Sequence, residues 1–251
     1  IQIRLIDKFY DIQWNSSFLS KLRDMVFQTA KFKLESVSDS ISYRQIYSVL
    51  KGILQYCDWQ ASAGNDGVWV SIPEGQEDLI KKVGAKLANE KKQYEERPFH
   101  NACMKEKGDV LAIAPTGSGK TEAALLWALN SNYRRIIFLM PTMITSNSLY
   151  ERMVKNYFDL RLCGLTHSGA QTYFALQGNL TEEEDQELRL QLLHNKAFIP
   201  PLMVSTVDQL LSTGFNTGLW NLKEAAIVGS SIVFDEIHAY DTYTLALITE
   251  T

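Results

Sequence analysis

The sequence predicts an α/β fold in which a parallel β-sheet is flanked by helices and a mostly α-helical segment precedes the sheet. Two observations support this prediction. From residue 108 onward, short apolar runs alternate with helical stretches, as expected for buried parallel strands joined by crossover helices. A glycine-rich loop also follows the first of these runs and leads directly into a strongly apolar helix. At 251 residues and 45% hydrophobic content, the chain can form one large domain or two small ones.

The first part of the chain is predicted to be mostly helical. Residues 18–32 and 42–59 space their apolar side chains at helical intervals. Glycine, asparagine, aspartate and proline interrupt this pattern over residues 61–76 and predict a loop or linker, after which a charged helix resumes. We therefore divide the chain into a helical segment, residues 1–88, and an α/β segment, residues 89–251.

Four apolar runs in the second segment are predicted to be strands. They have the sequences DVLAIA, RRIIFLM, LMVST and SSIVF and lie at residues 109–114, 134–140, 202–206 and 230–234. A further strand is expected before His167, whose own role we interpret as structural. The acidic run at 181–187 is typical of the solvated start of a helix.

Composition restricts the classes of function. A net charge of −4 argues against a surface coated with nucleic-acid-binding lysines, although a local basic groove remains compatible with it. The chain has neither a long uncharged apolar run nor a secretion signal, so we expect a cytoplasmic protein with no membrane contact. The three cysteines have no paired spacing, which argues against a disulfide framework or a zinc ribbon. The chain starts without methionine and ends without a helix stop signal, so we expect part of a larger protein.

The residues APTGSGKT at 114–121 predict a phosphate site. Glycines tolerate the required dihedral angles and leave the backbone amides open to phosphate oxygens. Lys120 would reach the terminal phosphates of ATP, and Thr121 would place its hydroxyl on a magnesium ion at the positive end of the following helix. The predicted nucleotide-binding residues are Thr116, Gly117, Ser118, Gly119, Lys120 and Thr121.

The stretch SSIVFDEIHAYD supplies the carboxylates that such a site needs. Asp235 and Glu236 follow an apolar strand, and ligands bind at the carboxyl ends of strands in open α/β sheets. Asp235 suits the magnesium shell, and Glu236 could polarise the water that attacks the γ-phosphate. His238 alone would be interpreted as a structural hydrogen-bonding residue.

APTGSGKT together with DEIH resembles motifs I and II of superfamily 2 helicases of the DExH type. That resemblance implies a RecA-like lobe of a P-loop NTPase, in which His238 transmits the nucleotide state to the lobe interface. FLMPT, ending at Pro141 and Thr142, resembles motif Ia, and VSTVDQLL, with Thr206 and Gln209, resembles the later strand-to-helix motif. In that family such loops contact the phosphates of the tracked strand, which hydroxyl and amide groups at helix starts can do without a positive net charge.

A narrower resemblance covers roughly residues 97–245. GSGKTEAALLWA, GLTHSGA, TVDQLL and DEIHAYD together look like the CRISPR-associated type I helicase-nuclease. The resemblance implies the first RecA-like lobe of an ATP-dependent translocase and helicase on single-stranded DNA, recruited by a crRNA-guided surveillance complex. It also implies that a second lobe, outside these residues, supplies arginines to the γ-phosphate.

The stretch LKGILQYCDWQAS resembles the last helix of that family's HD nuclease domain. The resemblance implies that Asp58 and Ser62, one helical turn apart, approach a site for a divalent transition metal. The alternative is an exposed aspartate at a helix end with a capping serine. The family's histidine ligands would lie upstream, and no histidine cluster occurs in this chain.

One position departs from the family's pattern. ERPFHNA offers His100 near the place where the family commonly has an adenine-reading glutamine, which puts adenine selectivity in doubt. Two other functions remain open at this point: a DNA or RNA helicase unrelated to CRISPR, and a nucleotide-gated nucleic-acid-binding module without turnover.

Overall fold

In the computed structural model, residues 37–64, 71–89, 97–131, 134–176 and 182–249 are described. The chain divides into two compact units, Ile1–Trp69 and Val70–Thr251. In the first unit, helix α1 (Val37–Ser62) contains the predicted helical stretch 42–59, while the predicted stretch 18–32 lies outside the described residues.

The second unit alternates helices and strands. Its helices are α2 (Gln76–Asn89), α3 (Pro98–Lys105), α4 (Lys120–Ala128), α5 (Met143–Asn156), α6 (Ala170–Ala175), α7 (Glu182–Lys196), α8 (Val207–Leu211), α9 (Trp220–Ile227) and α10 (Thr242–Thr249). Its strands are β1 (Ile136–Met140), β2 (Cys163–Thr166), β3 (Leu202–Thr206) and β4 (Ser231–Phe234). Short 3₁₀ turns lie at Leu160–Leu162, Ser212–Phe215 and Ile237–Ala239.

The four strands form one parallel sheet in the order β2-β3-β1-β4. Met140 pairs with Thr206 and Leu139 pairs with Phe234, so three strands end at nearly the same level. All strands point the same way, and the loops that follow them therefore emerge at one edge of the sheet. In open α/β sheets this carboxyl edge is where ligands bind.

The core lies between the sheet and three helices. β1, β2 and β3 are buried along their whole lengths, as expected for strands covered on both faces. Leu79 of α2, Leu125 of α4 and Met153 of α5 belong to the same apolar cluster as the strand residues. Gln76 ties α2 to this unit as well, because its amide donates to the carbonyls of Met104 at 2.9 Å and Leu126 at 2.7 Å. Helix α2 thus lies in the same unit as the phosphate loop.

Residues 109–114 do not form the predicted strand. The structure assigns them no sheet pairing, and their side chains face solvent, with Leu111 76% and Ile113 90% exposed. The residues just before them are held at the far end of α4, where Trp127 Nε1 donates to the Gly108 carbonyl at 2.9 Å. From there the segment runs back to the phosphate loop outside the sheet. An apolar run predicts a strand only when a partner edge pairs with it, and composition does not reveal that partner. The other three predicted strands, the strand before His167 and the helix at the acidic run are confirmed.

Candidate nucleotide site and strand-contact loops

The phosphate loop has the backbone conformation that its glycines permit. Gly117 and Gly119 have φ values of 77° and 83°, in the left-handed region that favours glycine. A Cβ atom on Gly117 would meet nothing within 4 Å, so the space above the loop is open. Gly119 then serves as the N-cap of α4 without any side-chain cap. The first amides of a helix have no partner within the helix, so this helix end is suited to bind an anion.

Three polar groups around the loop fit a bound phosphate chain. The Lys120 ammonium donates to the Ala114 carbonyl at 3.2 Å, and an ammonium has two further hydrogens that can bind phosphate oxygens. The Ser118 hydroxyl is buried and has no hydrogen-bond partner within the described part of the chain. Thr121 lies buried in the first turn of α4. A buried hydroxyl without a partner is costly, and a phosphate oxygen would satisfy it.

Helix α3 supports the loop from one side. The His100 ring is buried, and its Nε2 lies 3.3 Å from the Ser118 carbonyl, which can only accept a hydrogen bond. Nε2 must therefore carry the proton in that contact. Arg97, at the start of α3, donates to the Gly117 carbonyl at 3.3 Å. Sequence reasoning assigned His100 only to the position of an adenine reader, and the structure places it against the phosphate loop.

A buried ion cluster lies directly behind the loop. Glu122, the residue after Thr121, pairs with Arg152 of α5 at 2.8 Å and accepts a hydrogen bond from the Tyr157 hydroxyl. Lys86 of α2 lies 3.7 Å from the same carboxylate. Burial alone would raise the pKa of Glu122, but the Tyr157 hydroxyl and the Arg152 charge hold it below its ordinary value. The cluster fixes the helix that begins the nucleotide site to two neighbouring helices.

The strand that ends at Asp235 lies beside α4. The two elements are in contact, and the Ser231 hydroxyl at the start of β4 donates to the Ala128 carbonyl at the end of α4 at 3.4 Å. From Ala128 back to Lys120 the helix spans about 12 Å, and from Ser231 to Asp235 the strand spans about 13 Å. Contact between the end of α4 and the start of β4, with the two elements nearly equal in length, favours a common edge for the start of α4 and the end of β4, as a shared nucleotide site requires.

The two carboxylates sit on a tight turn after β4. Asp235 donates its amide to the Leu139 carbonyl at 3.0 Å, which continues the pairing of β4 with β1, and its Oδ1 accepts the Glu236 amide at 2.9 Å. Glu236 has a φ of 50°, an unusual left-handed conformation for a non-glycine residue, and it is exposed. Such local strain is common at functional sites.

Tyr240 anchors this turn to β1. Its hydroxyl is buried and donates to the Leu139 carbonyl at 3.1 Å. Burial raises the pKa of Tyr240, and the charges of Asp235 and Glu236 raise it further, so both carboxylates lie within electrostatic reach of the ring. His238 lies between them and Tyr240 on the 3₁₀ turn and is exposed.

The predicted strand-contact residues lie at this carboxyl edge as well. Pro141 and Thr142 follow β1, and Thr142 caps α5 by accepting the Thr145 amide at 3.2 Å. Thr206 ends β3 and is buried, and Gln209 lies one turn into α8, half-buried. The register of β1 with β3 places the two loops side by side.

His167 has the structural environment that was expected. Its Nε2 lies 2.7 Å from the Asn147 Oδ1 and its Nδ1 accepts the Gly169 amide at 3.1 Å, so the proton sits on Nε2. Burial lowers the pKa of His167, although Asp208 opposes that shift. The ring joins α5 to the loop after β2 and stays neutral in doing so.

Asp58 and Ser62 are both exposed at the end of α1. Among the described residues, no group of three histidine, cysteine, aspartate or glutamate side chains is arranged to hold a metal ion. A hydroxyl and a carboxylate, Thr121 and Asp235, are nevertheless the kind of oxygen ligands that magnesium takes when phosphate oxygens complete its shell. These two residues are therefore the candidates to hold magnesium once phosphate oxygens are present.

No helix in the described part of the chain combines the length and the apolar character that a membrane span requires.

Comparison with known proteins identifies a matching family and relatives of this chain. The sequence profile of the DEAD/DEAH box helicases matches residues 96–247, the part that holds both the phosphate loop and Asp235. A putative CRISPR-associated nuclease/helicase Cas3 of Methanocaldococcus jannaschii is 32% identical over 247 residues, covering 90% of this chain and 34% of the relative. The CRISPR-associated nuclease/helicase Cas3 of Methanothermobacter thermautotrophicus is 28% identical over 208 residues, covering 81% of this chain and 24% of that protein.

Among solved structures, the crystal structure of T. fusca Cas3-AMPPNP is similar, with a TM-score of 0.49 and 23% identity over 72% of this chain and 21% of that one. The chain spans about a third or less of the length of the relatives it matches.

Proposed function

Since the chain belongs to the DEAD/DEAH box helicase family, we propose that it is the ATP-hydrolysing first RecA-like lobe of a translocase and helicase that moves along single-stranded DNA. The observation that supports this most is the contact between the end of α4 and the start of β4, because two elements of similar length joined there favour one edge for Lys120 and Asp235. A phosphate loop and a carboxylate turn at one edge form the two halves of an ATPase site.

Lys120 binds the phosphate chain. Its ammonium can leave the Ala114 carbonyl and pair with phosphate oxygens, while the amides of the loop and the Ser118 hydroxyl hold the rest of the chain. Thr121 and Asp235 would hold a magnesium ion between them. When bound, magnesium neutralises the charge that develops on the phosphate oxygens.

Glu236 orients the attacking water. The turn fixes its backbone through the hydrogen bond from its own amide to Asp235, and its side chain lies exposed at the open edge of the sheet. A positioned carboxylate can accept the proton of water as that water attacks the γ-phosphate. His238, two residues further and exposed, is suited to sense whether the neighbouring lobe has closed.

The loops after β1 and β3 contact the nucleic-acid strand. Thr142 presents an exposed hydroxyl and Gln209 a half-buried amide, while Pro141 and the buried Thr206 precede the starts of α5 and α8. Hydroxyl, amide and helix-start groups are the chemistry that binds backbone phosphates without reading bases. Because the chain has a net charge of −4, these local groups and not overall charge must supply the contacts.

The Cas3 relatives described above are named as CRISPR-associated nuclease/helicases, and they match most of this chain. We infer from that likeness that the protein acts in type I CRISPR interference, in the cytoplasm, with a crRNA-guided surveillance complex as its recruiting partner. The same likeness favours an HD-type nuclease domain whose last helix is α1, with Asp58 and Ser62 near a divalent transition metal.

ATP hydrolysis measured with and without single-stranded DNA tests the proposal. We expect turnover in the natural polypeptide that contains this chain, stimulated by single-stranded DNA. ATP binding without turnover would instead identify a nucleotide-gated binding module. Stimulation by RNA alone would identify an RNA helicase of the same family.

A further inference from the structure

Lys223 of α9 is a buried cation beside one of the proposed strand-contact loops. The residue is only 6% exposed, although lysine is almost never buried unless its charge is satisfied. It lies in the middle of an eight-residue helix whose neighbouring residues Leu222 and Ala226 are fully buried. The sequence suggested nothing about this position.

The surroundings of Lys223 satisfy all three of its ammonium hydrogens. The ammonium donates to the Gln209 carbonyl at 2.8 Å, to the Ser212 hydroxyl at 3.3 Å and to the Gln209 Oε1 at 3.4 Å. The face of the Phe198 ring lies 5.2 Å away and attracts the cation further. Such a site offsets the cost of burying a charge only while the lysine remains protonated.

These contacts fix the orientation of one predicted strand-contact side chain. The Gln209 Oε1 faces the Lys223 ammonium, and its Nε2 donates to the Asp208 carboxylate at 2.9 Å. An acceptor toward the cation and a donor toward the carboxylate define the amide orientation without ambiguity. The amide nitrogen of Gln209 is thus held on the side away from Lys223.

Lys223 also fixes the turn that follows. Ser212, one of its acceptors, donates its hydroxyl to the Gln209 carbonyl at 2.9 Å, so the cation joins both ends of a single helical turn. Thr213 closes the same turn by donating to the Leu210 carbonyl at 2.8 Å. Residues 206–216, which we call the β3 loop, are therefore organised around one buried charge.

We propose that Lys223 is a positioning residue for strand binding: its buried ammonium orients Gln209 and holds the β3 loop in the form that contacts the phosphates of single-stranded DNA. The inference rests on the proposed function, because that function places the strand at this loop. Lys223 itself is buried and does not touch the strand.

The electrostatics of the site make this role dependent on pH. Burial lowers the pKa of Lys223 to about 8, while the opposing charge of Asp208 on α8 raises it. The ammonium, and with it the orientation of Gln209, is present below that pKa and is lost as pH rises through it. Strand affinity should therefore fall between about pH 7 and pH 9, a range in which an ordinary exposed lysine stays charged.

The test compares Lys223→Met with Lys196→Met, which removes an equal charge from an exposed position of α7. Binding of a labelled oligo(dT) to the natural polypeptide is measured at constant salt from pH 6.5 to pH 9, together with binding of an ATP analogue and hydrogen exchange of the β3-loop amides. We expect Lys223→Met to weaken oligo(dT) binding about tenfold at pH 7, to expose the loop amides and to leave nucleotide binding unchanged. Lys196→Met should behave as the wild type.

Lys223→Met binding that equals the wild type at every pH would overturn the inference while leaving the proposed function intact. A wild type that binds ATP but no oligo(dT) would overturn the proposed function and this inference with it. If Lys223→Met does not fold, Gln209→Leu decides, because it removes the oriented amide but keeps the contact of the ammonium with the residue 209 carbonyl. Oligo(dT) binding by Gln209→Leu that equals the wild type would contradict a role for Lys223 in orienting that side chain.

Discussion

The ring of His100 lies so close to Gly119 that a Cβ atom on this glycine would come within 2.7 Å of the His100 Nε2. Gly119 also has a φ of 83°, which an alanine adopts only with strain. We predict that Gly119→Ala lowers the free energy of unfolding by about 2 kcal/mol and weakens ATP binding, because both the loop and α3 must shift. Urea unfolding and binding of an ATP analogue measure the two effects.

Two variants separate the causes of that loss. Gly117→Ala has the same left-handed strain at φ 77° but no atom within 4 Å of its Cβ, so it should cost only about 1 kcal/mol. Combining Gly119→Ala with His100→Ala should cost less than the sum of the two single changes, since the contact is then absent. Additive costs would show that His100 does not limit the residue at position 119.

Lys120→Ala should abolish ATP hydrolysis while leaving the fold intact. Removing the cation that pairs with the phosphates costs transition-state stabilisation on the order of a hundredfold or more in rate. The matched control is Lys107→Ala, which removes an exposed lysine that precedes residues 109–114 in the chain. This variant should retain turnover. Phosphate release in the presence of single-stranded DNA distinguishes them, and equal rates for wild type and Lys120→Ala would rule out the assigned site.

Glu122→Gln should destabilise the protein by about 2 kcal/mol at pH 7. The change leaves the Arg152 guanidinium without its carboxylate in a mostly buried cluster, and the partial exposure of Arg152 keeps the cost below that of a fully buried pair. Glu77→Gln, on the exposed start of α2, is the control and should lie within about 0.5 kcal/mol of the wild type.

The same carboxylate should shape the acid limb of the stability curve. Because the folded state holds the pKa of Glu122 below its ordinary value of 4.5, its contribution is fully present above about pH 4.5 and is lost as pH falls below that. Urea unfolding between pH 7 and pH 3 should therefore show a shallower acid limb for Glu122→Gln than for the wild type. Acid limbs of equal slope for Glu122→Gln and the wild type would contradict the ion pair between Glu122 and Arg152.

Glu236→Gly should stabilise the fold and abolish hydrolysis. Glycine relieves the left-handed backbone at φ 50°, worth about 1 kcal/mol, but removes the carboxylate that we propose orients the attacking water. Glu236→Ala removes the same carboxylate without relieving the backbone and should gain no stability. Melting temperatures that do not differ between the two variants would show that the turn is unstrained.

Asp58→Ala tests the proposed nuclease helix. In the natural polypeptide, metal-dependent DNA cleavage should fall while ATP hydrolysis stays largely unchanged, because Asp58 and the phosphate loop lie in different compact units. Loss of both activities would indicate that α1 has a folding role instead.

Most residues of the candidate nucleotide site could be chosen from the sequence because they are neighbours in the chain. The phosphate loop, Lys120 and Thr121 occupy consecutive positions, and Asp235 follows an apolar run that did form a strand. Local spacing contains that information. The predicted strands were correct for each apolar run that pairs with a neighbouring strand.

The parts that sequence reasoning missed depend on contacts between distant residues. Arg152 meets Glu122 across 30 positions, and Lys223 meets Gln209 across 14. A glutamate two residues after Lys120, at the start of a helix that continues with apolar residues, was the available signal for the first pair, since a buried carboxylate needs a partner. For residues 109–114 the composition indicated a strand, but strand formation depends on long-range pairing that composition does not encode.

The parallel sheet has a consequence for the order in which the molecule comes together. Ile136 pairs with Leu202 and with Ser231, about 65 and 95 residues later, so each pairing must close a long loop and the fold is expected to form slowly. During synthesis at about 5–20 residues per second, Asp235 leaves the ribosome at least several seconds after Lys120. In that interval the phosphate loop exists without its carboxylate partner, so a nascent chain could acquire the means to bind nucleotide before it acquires the means to hydrolyse it.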